Sequence, residues 1–346
     1  MSDIERIDRN FEINTDIKRD GIVFYDIDSA PFKIYGVFRE SGCYRRMPED
    51  VAKKVSDGVY YLHTNTAGGR VRFVTDSSYI AICAVMDRID KMPHFALSGS
   101  SGFDIYDENG YINTFVPPYD VSGGYSMLID LNGRVRREIT INFPLYSNVN
   151  KLYIGLDGGA TLEEASDYRY DKPIVYYGSS ITQGGCASRP GMSYQAIVSR
   201  VLDTDYINLG FSGNARAEDE MIKYIVSLDM SVFVLDYDHN APTCEHLKAT
   251  HEKAFCQIRQ RHPDIPIILM SRPKHDLTDD ELLRLDIIKE TYNNARINGD
   301  NNVYLIDGYE LTRLCGGEGT VDNCHPTDLG FFSMAEALLN VLKDII

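Results

Sequence analysis

The sequence predicts an α/β protein whose second half is built on a parallel sheet, preceded by an all-β, jelly-roll-like first half. Two rhythms predict it. After Pro173, apolar runs alternate with stretches of helical length; before residue 160, short β-type runs are broken by turn residues. A third observation is length: 346 residues exceed one ordinary core, so two domains are expected, at 1–160 and 173–346.

In the first half the strand candidates include 58–62, 70–74, 79–85 and 137–143. Asn109-Gly110 and Asn132-Gly133 are hairpin signals, because both residue types tolerate positive φ. The best short helical window is 48–55. A polar, Gly-containing stretch at 157–172, closed by Pro173, reads as the link between the halves.

In the second half the strand candidates are 174–177, 206–209, 231–236, 265–270 and 303–306. Helices are expected at 193–202, 217–228, 244–261, 279–298 and 327–344. Five β runs separated by helices imply a parallel sheet covered on both faces. Sites in such sheets lie at the C-terminal strand ends.

Hydrophobic residues make up 43% and charged residues 25%, as in a soluble globular protein. The net charge of −16 argues against a nucleic-acid partner and an anionic membrane surface. It favours a neutral or cationic small molecule or a neutral glycan. No run approaches ~18 apolar residues, and Met1 to Arg6 has no basic segment leading into an apolar one. The seven cysteines are scattered, odd in number and form no CxxC pair. They read as thiols in a reducing compartment, so a cytoplasmic enzyme is expected.

The chemistry starts at Gly178-Ser179-Ser180-Ile181-Thr182-Gln183-Gly184, directly after the apolar run 174–177. A buried strand entering a tight Gly/Ser turn and a helix lifts a hydroxyl out of the sheet, and Ser180 is the nucleophile candidate. A serine hydroxyl needs a base. His325, after the last strand, is the best one, and Asp322 can accept its other ring N–H. Acyl transfer also needs donors aimed at an oxyanion. The Ser180 and Gly213 backbone N–H groups and the Asn240 amide stand in the loops after the first, second and third strands. Each residue alone has a bland reading as a turn or cap. Their conjunction, one block per strand end, decides for chemistry.

On those blocks the chain resembles the SGNH (GDSL-type) hydrolase superfamily over roughly 173–346. The resemblance implies a flavodoxin-like three-layer fold, with Ser180, Asp322 and His325 catalytic and Ser180, Gly213 and Asn240 in the oxyanion hole. Within the superfamily, Ser180 to Gly184, Ser188-Arg189-Pro190-Gly191 and Gly102-Phe103-Asp104-Ile105-Tyr106 resemble a bacterial group with an N-terminal β domain. It implies an esterase acting on acetylated or otherwise acylated small molecules and glycans, with no metal or cofactor. Acyl transfer by the same residues is the alternative; a glycan-binding protein with an inactive hydrolase half is a further one. The β half is expected to bind glycan, wall the pocket or build a homo-oligomer interface.

Two departures stand out. Ser179 replaces the family's acidic residue, and Asp238-His239-Asn240-Ala241 differs on both sides of its asparagine. Ser179 and Arg189 are the expected further substrate contacts, although Arg189 could equally form a surface ion pair. Other signals are weaker. Thr182 breaks a G-x-S-x-G elbow, and no Gly-Lys-Ser/Thr supports a P-loop. His246 and His251 fit a surface helix better than a zinc site, and Cys324 is a poor alternative nucleophile beside the base. Most of the 23 tyrosines are expected in the core or strands.

Overall fold

The computed structural model describes residue 13 and residues 15–346. Among the described residues the first half contains two large antiparallel sheets and a two-stranded one, Phe38–Glu40 with Cys43–Arg45. One has the order Ile22–Asp26, Lys151–Asp157, Tyr79–Val85, Gly124–Asp130. The other runs Leu162–Glu163, Arg70–Thr75, Arg137–Asn142, Phe103–Asp107, Gly110–Phe115, with Lys33–Tyr35 also on Arg70–Thr75. Alternate residues of each strand point inward, as the two-residue pleat requires. Val71, Phe73, Ile139 and Ile141 from one sheet share a core with Ile80, Ile82, Leu152 and Ile154 from the other. The sheets therefore pack face to face as a sandwich.

Two expectations fail here. Residues 58–62 are not a strand but part of the helix Asp57–Leu62. The Ser56 hydroxyl accepts from Val59 N–H, and Val59 and Leu62, three apart, are buried. A cap and helical spacing outweigh the β preference of Val and Tyr. The link is also shorter than 157–172. Leu162–Glu163 pairs with Arg70–Thr75, and the next strand begins at Tyr170.

The second half holds five parallel strands: β1 (Tyr170–Gly178), β2 (Thr204–Gly210), β3 (Val232–Asp236), β4 (Ile267–Met270) and β5 (Val303–Ile306). Their spatial order is β2-β1-β3-β4-β5. The chain thus winds outward both ways from β1, and the loops after β1 and its neighbours β2 and β3 meet at one edge. Side chains alternate between two cores. Val175, Tyr177, Phe233 and Leu235 meet the helices Asp219–Ser227, Cys244–Arg261 and Asp279–Ile297. Ile174, Tyr176, Val232 and Val234 meet Tyr194–Leu202 and Asp328–Leu342. No helix among the described residues is long and apolar enough to cross a membrane.

Burial holds two histidines, His63 and His251, toward their neutral form. His63, 2% exposed, receives Arg45 Nη1 at 2.8 Å. His251, 1% exposed, contacts Thr291 Oγ1 at 2.8 Å and stacks on Tyr237. Burial pushes both imidazoles down to about 4, below the ordinary value of 6.5. Unfolding below pH 6.5 therefore takes up protons that the native state refuses. The contribution of these two histidines is full above that value and is lost as pH falls toward 4, by about 1–2 kcal/mol per histidine near pH 5. Asp236, whose carboxyl burial pushes up to about 7, acts in the opposite direction over the same window, so the histidine share is read by difference: the melting temperature of His251→Gln is expected to gain on that of wild type between pH 7 and pH 5, and a gap that does not change with pH would contradict it.

Candidate active site

Two glycines seat the Ser179-Ser180 turn on the sheet. A Cβ on Gly178 would lie 2.1 Å from Asp236 O, and one on Gly210 would lie 2.1 Å from Gln183 N. Their absence lets the short helix Ser180–Gln183 rest directly on the ends of β1 and β2. Ser179 starts that helix, its Oγ accepting from Ile181 N–H at 3.2 Å. Gly184, at φ +99°, ends it. Ser180 remains 8% exposed, its hydroxyl turned to His325.

Ser180 Oγ is 2.9 Å from His325 Nε2, and His325 Nδ1 is 2.8 Å from Asp322 Oδ2. Asp322 Oδ1 accepts the backbone N–H groups of His325 at 2.7 Å and Cys324 at 3.1 Å. Partial burial opposes the carboxylate's charge. The hydrogen bonds from the backbone and ring of His325 outweigh it and hold the Asp322 carboxyl below its usual range. A carboxylate on Nδ1 selects the Nδ1–H tautomer and leaves the Nε2 lone pair toward the serine hydroxyl. Such a chain can take a proton from Ser180 Oγ and return it.

Gly213 follows β2 at φ +70°, with open space where a side chain would stand. A non-glycine residue would be strained there, and a backbone N–H can be approached closely. The loop is tied to the Ser180–Gln183 helix, since Ser212 N donates to Gln183 Oε1 at 3.0 Å. From below it is braced by Arg46, which is 2% exposed. This guanidinium donates to the carbonyls of Leu62, Asn65, Asn208 and Gly210 and lies 4.6 Å over the Phe211 ring.

Asn240 closes the short 3-10 turn Asp238–Asn240. Its Oδ1 accepts from Ala215 N at 3.2 Å, so its Nδ2 is the amide's remaining donor. Arg272 grips Asp238 with Nε and Nη2, both at 3.0 Å, while Arg284 donates to the carbonyls of Asp238 and Ala241. The unusual Asp238 is thus the anchor of the Asn240 turn.

Two expected substrate contacts have other duties. Ser179 is fully buried as the helix cap. Arg189 lies 4.0 Å over the Tyr111 ring and 3.8 Å from Asp104 Oδ2, tying the two halves together. Asp104, fully buried, also accepts from Gly191 N at 2.7 Å and Asn142 Nδ2 at 2.8 Å. His246 and His251 make separate hydrogen bonds, to Arg216 O and Thr291 Oγ1. Cys324 Sγ faces His239 Nδ1 at 3.9 Å, and burial, then the Asp322 charge, pushes its thiol up.

The structure also brings in residues that sequence spacing does not reveal. Tyr146 of the β half donates to Ser180 O at 3.1 Å. His94, from the same half, sets its ring 5.7 Å from that of His325. Cys186, just past the Ser180–Gln183 helix, is buried beside them. No motif flags a residue that arrives across a domain seam.

Residues 171–343 match the sequence model of the GDSL-like Lipase/Acylhydrolase family, which spans half of the chain. The chain belongs to this family. It is a carboxylic ester hydrolase of the SGNH type. Residues 22–162 match a second family, the N-terminus of Esterase_SGNH_hydro-type. No curated protein matches the chain. Among solved structures, one from Bacteroides ovatus assigned as a GDSL-like lipase is 27% identical, with a TM-score of 0.84. The match covers 94% of this GDSL-like hydrolase and 98% of that chain. A salicylyl-acyltransferase from a tetracycline biosynthetic pathway is 19% identical, with a TM-score of 0.78 and coverage of 94% and 98%. An acetyl xylan esterase from the rumen bacterium Butyrivibrio proteoclasticus is 13% identical, with a TM-score of 0.58 and coverage of 93% and 98%. At such identities the last two share the fold.

Proposed function

We propose that this hydrolase removes short acyl groups, acetyl foremost, from a carbohydrate or other small-molecule ester through an acyl-enzyme on Ser180. The hydrogen-bonded relay from Ser180 Oγ through His325 to Asp322, at 2.9 and 2.8 Å, carries the reading. His325 Nε2 takes the Ser180 proton as Oγ attacks the ester carbonyl. The oxyanion is met by the N–H groups of Ser180 and Gly213 and the Asn240 amide. Collapse breaks the ester C–O bond, and the imidazolium gives its proton to the leaving alcohol. Water, deprotonated by His325, then releases the acid and frees Ser180. Asp322 stays ionised throughout and stabilises the imidazolium.

The substrate class draws on the shared fold of the acetyl xylan esterase and on the net charge of −16, which repels polyanions. Acetate release from acetylated xylo-oligosaccharides, acetylated mannan and simple sugar acetates tests it. Release from at least one carbohydrate acetate is expected. Turnover of a short aryl ester with no acetate from any carbohydrate would remove the glycan from the proposal. The likeness to the salicylyl-acyltransferase, extending over both halves, favours a second reading in which an alcohol replaces water. Products analysed with and without added alcohols separate the two: free acid in both cases means hydrolysis, and a new ester means transfer.

A further inference from the structure

We propose that His94, Cys186 and His325 form a soft metal-ion site, of zinc type, whose occupation switches the esterase off. One ring nitrogen of each histidine and Cys186 Sγ all lie within 4.8 Å of one another. Two imidazoles and a thiolate are a donor set that zinc prefers. With bonds of about 2.0 Å to nitrogen and 2.3 Å to sulfur, two nitrogens or a nitrogen and a sulfur of a tetrahedral set sit roughly 3.3–3.5 Å apart. Donor atoms that lie within 4.8 Å of one another must therefore close in by at most about 1.5 Å, and one of the ligands, His94, is exposed.

The other two side chains are held in place, although burial and then the Asp322 carboxylate push the Cys186 thiol up to about 12, so an ion must displace its proton. Cys186 is held at φ +77°, a strained conformation for a residue with a side chain, directly after the Gly184-Gly185 turn. His325 has its Nδ1 hydrogen-bonded to Asp322. A carboxylate behind the distal ring nitrogen is what fixes and strengthens a histidine as a metal ligand. The nitrogen left for the ion is Nε2, the same atom that faces Ser180 Oγ. An ion there takes the lone pair that would receive the serine proton. Binding displaces the thiol proton of Cys186 into solvent, and water or Ser180 Oγ completes the fourth position.

A competing trio, Asp322, Cys324 and His325, also lies within 4.8 Å. Its carboxylate is already engaged by the His325 ring and two backbone N–H groups, and the Cys324 thiol faces His239. The first cluster is the better cage.

The effect on turnover rests on the proposed role of His325 as base; binding does not. Titration of the intact protein with Co²⁺ separates them, because a thiolate ligand gives a charge-transfer absorption whether or not any ester turns over. The band is expected in wild type and Cys324→Ser, and absent in Cys186→Ser. Zinc is expected to inhibit aryl-ester hydrolysis reversibly, with relief by chelator and no effect of Mg²⁺ or Ca²⁺. Cys186→Ser and His94→Ala should each raise the half-inhibitory zinc concentration about 10-fold or more, measured against that variant's own activity. His94 is exposed, so its variant tests the site where Cys186→Ser fails to fold. No cobalt band, a band that survives Cys186→Ser or follows Cys324→Ser, or equal zinc sensitivity in all variants would overturn the site. Cobalt bound through Cys186 with undiminished turnover would overturn the switch.

Discussion

Ser180→Ala is expected to lower kcat on a short-chain aryl ester by roughly 10⁴-fold or more while leaving the melting temperature nearly unchanged. The hydroxyl makes one side-chain contact, to His325 Nε2 at 2.9 Å, and its loss removes few packing atoms. What disappears is the proposed acyl-enzyme route. His325→Ala should cost a similar factor, because an un-ionised serine is a poor nucleophile. The double variant should be little worse than either single one, as residues that act as a unit are not additive. Asp322→Asn should cost less than removing either of them, since it leaves both reacting groups while weakening the tautomer selection behind them. Turnover by folded Ser180→Ala at the wild-type rate would end the serine assignment.

Gly210→Ala is the second large expected effect, and it acts through backbone alone. Its new methyl would stand 2.1 Å from Gln183 N, 2.5 Å from Thr182 C and 2.6 Å from Gln183 Cα. None of these atoms can rotate away. Relief requires the helix carrying Ser180 to lift off the strand ends, at about 1–3 kcal/mol of stability or more. A displacement of even ~1 Å at the nucleophile is enough for a 10²-fold loss of turnover. The expected result is a lowered melting temperature together with a kcat deficit in the protein that remains folded. A variant melting and turning over like wild type would mean that the helix does not depend on this contact.

Much of the α/β half was legible because its signals are local. The helix Cys244–Arg261 begins where Thr243 can cap it, and Val303–Ile306 is an isolated apolar run. Where an expected bound slipped, a backbone detail decided it: Ala217, at φ +54°, delays the helix expected at 217 until Asp219. The β half was legible as alternation but not everywhere, since Val59-Tyr60-Tyr61-Leu62 fits a strand or a helix until the Ser56 cap is seen. The blocks around Ser180, Gly213, Asn240 and Asp322/His325 could be read because each occupies a strand end. His94, Tyr146 and Arg46 could not, because their meaning comes from folding one half against the other. Ser179 and Arg189 were visible as neighbours of the motif, but what a neighbour faces is a matter of packing: Ser179 is buried as a helix cap, and Arg189 reaches Asp104 and Tyr111 of the β half.

Arg46 holds the carbonyls at the end of β2, Tyr146 holds the carbonyl of Ser180, and Asp104 holds Gly191. All three belong to the β half, so the two halves are not interchangeable parts. A chimera that kept residues 173–346 and borrowed a foreign sandwich would inherit the whole relay yet lose the struts beneath it, unless the graft brought an arginine, a tyrosine and an aspartate to the same carbonyl and amide targets.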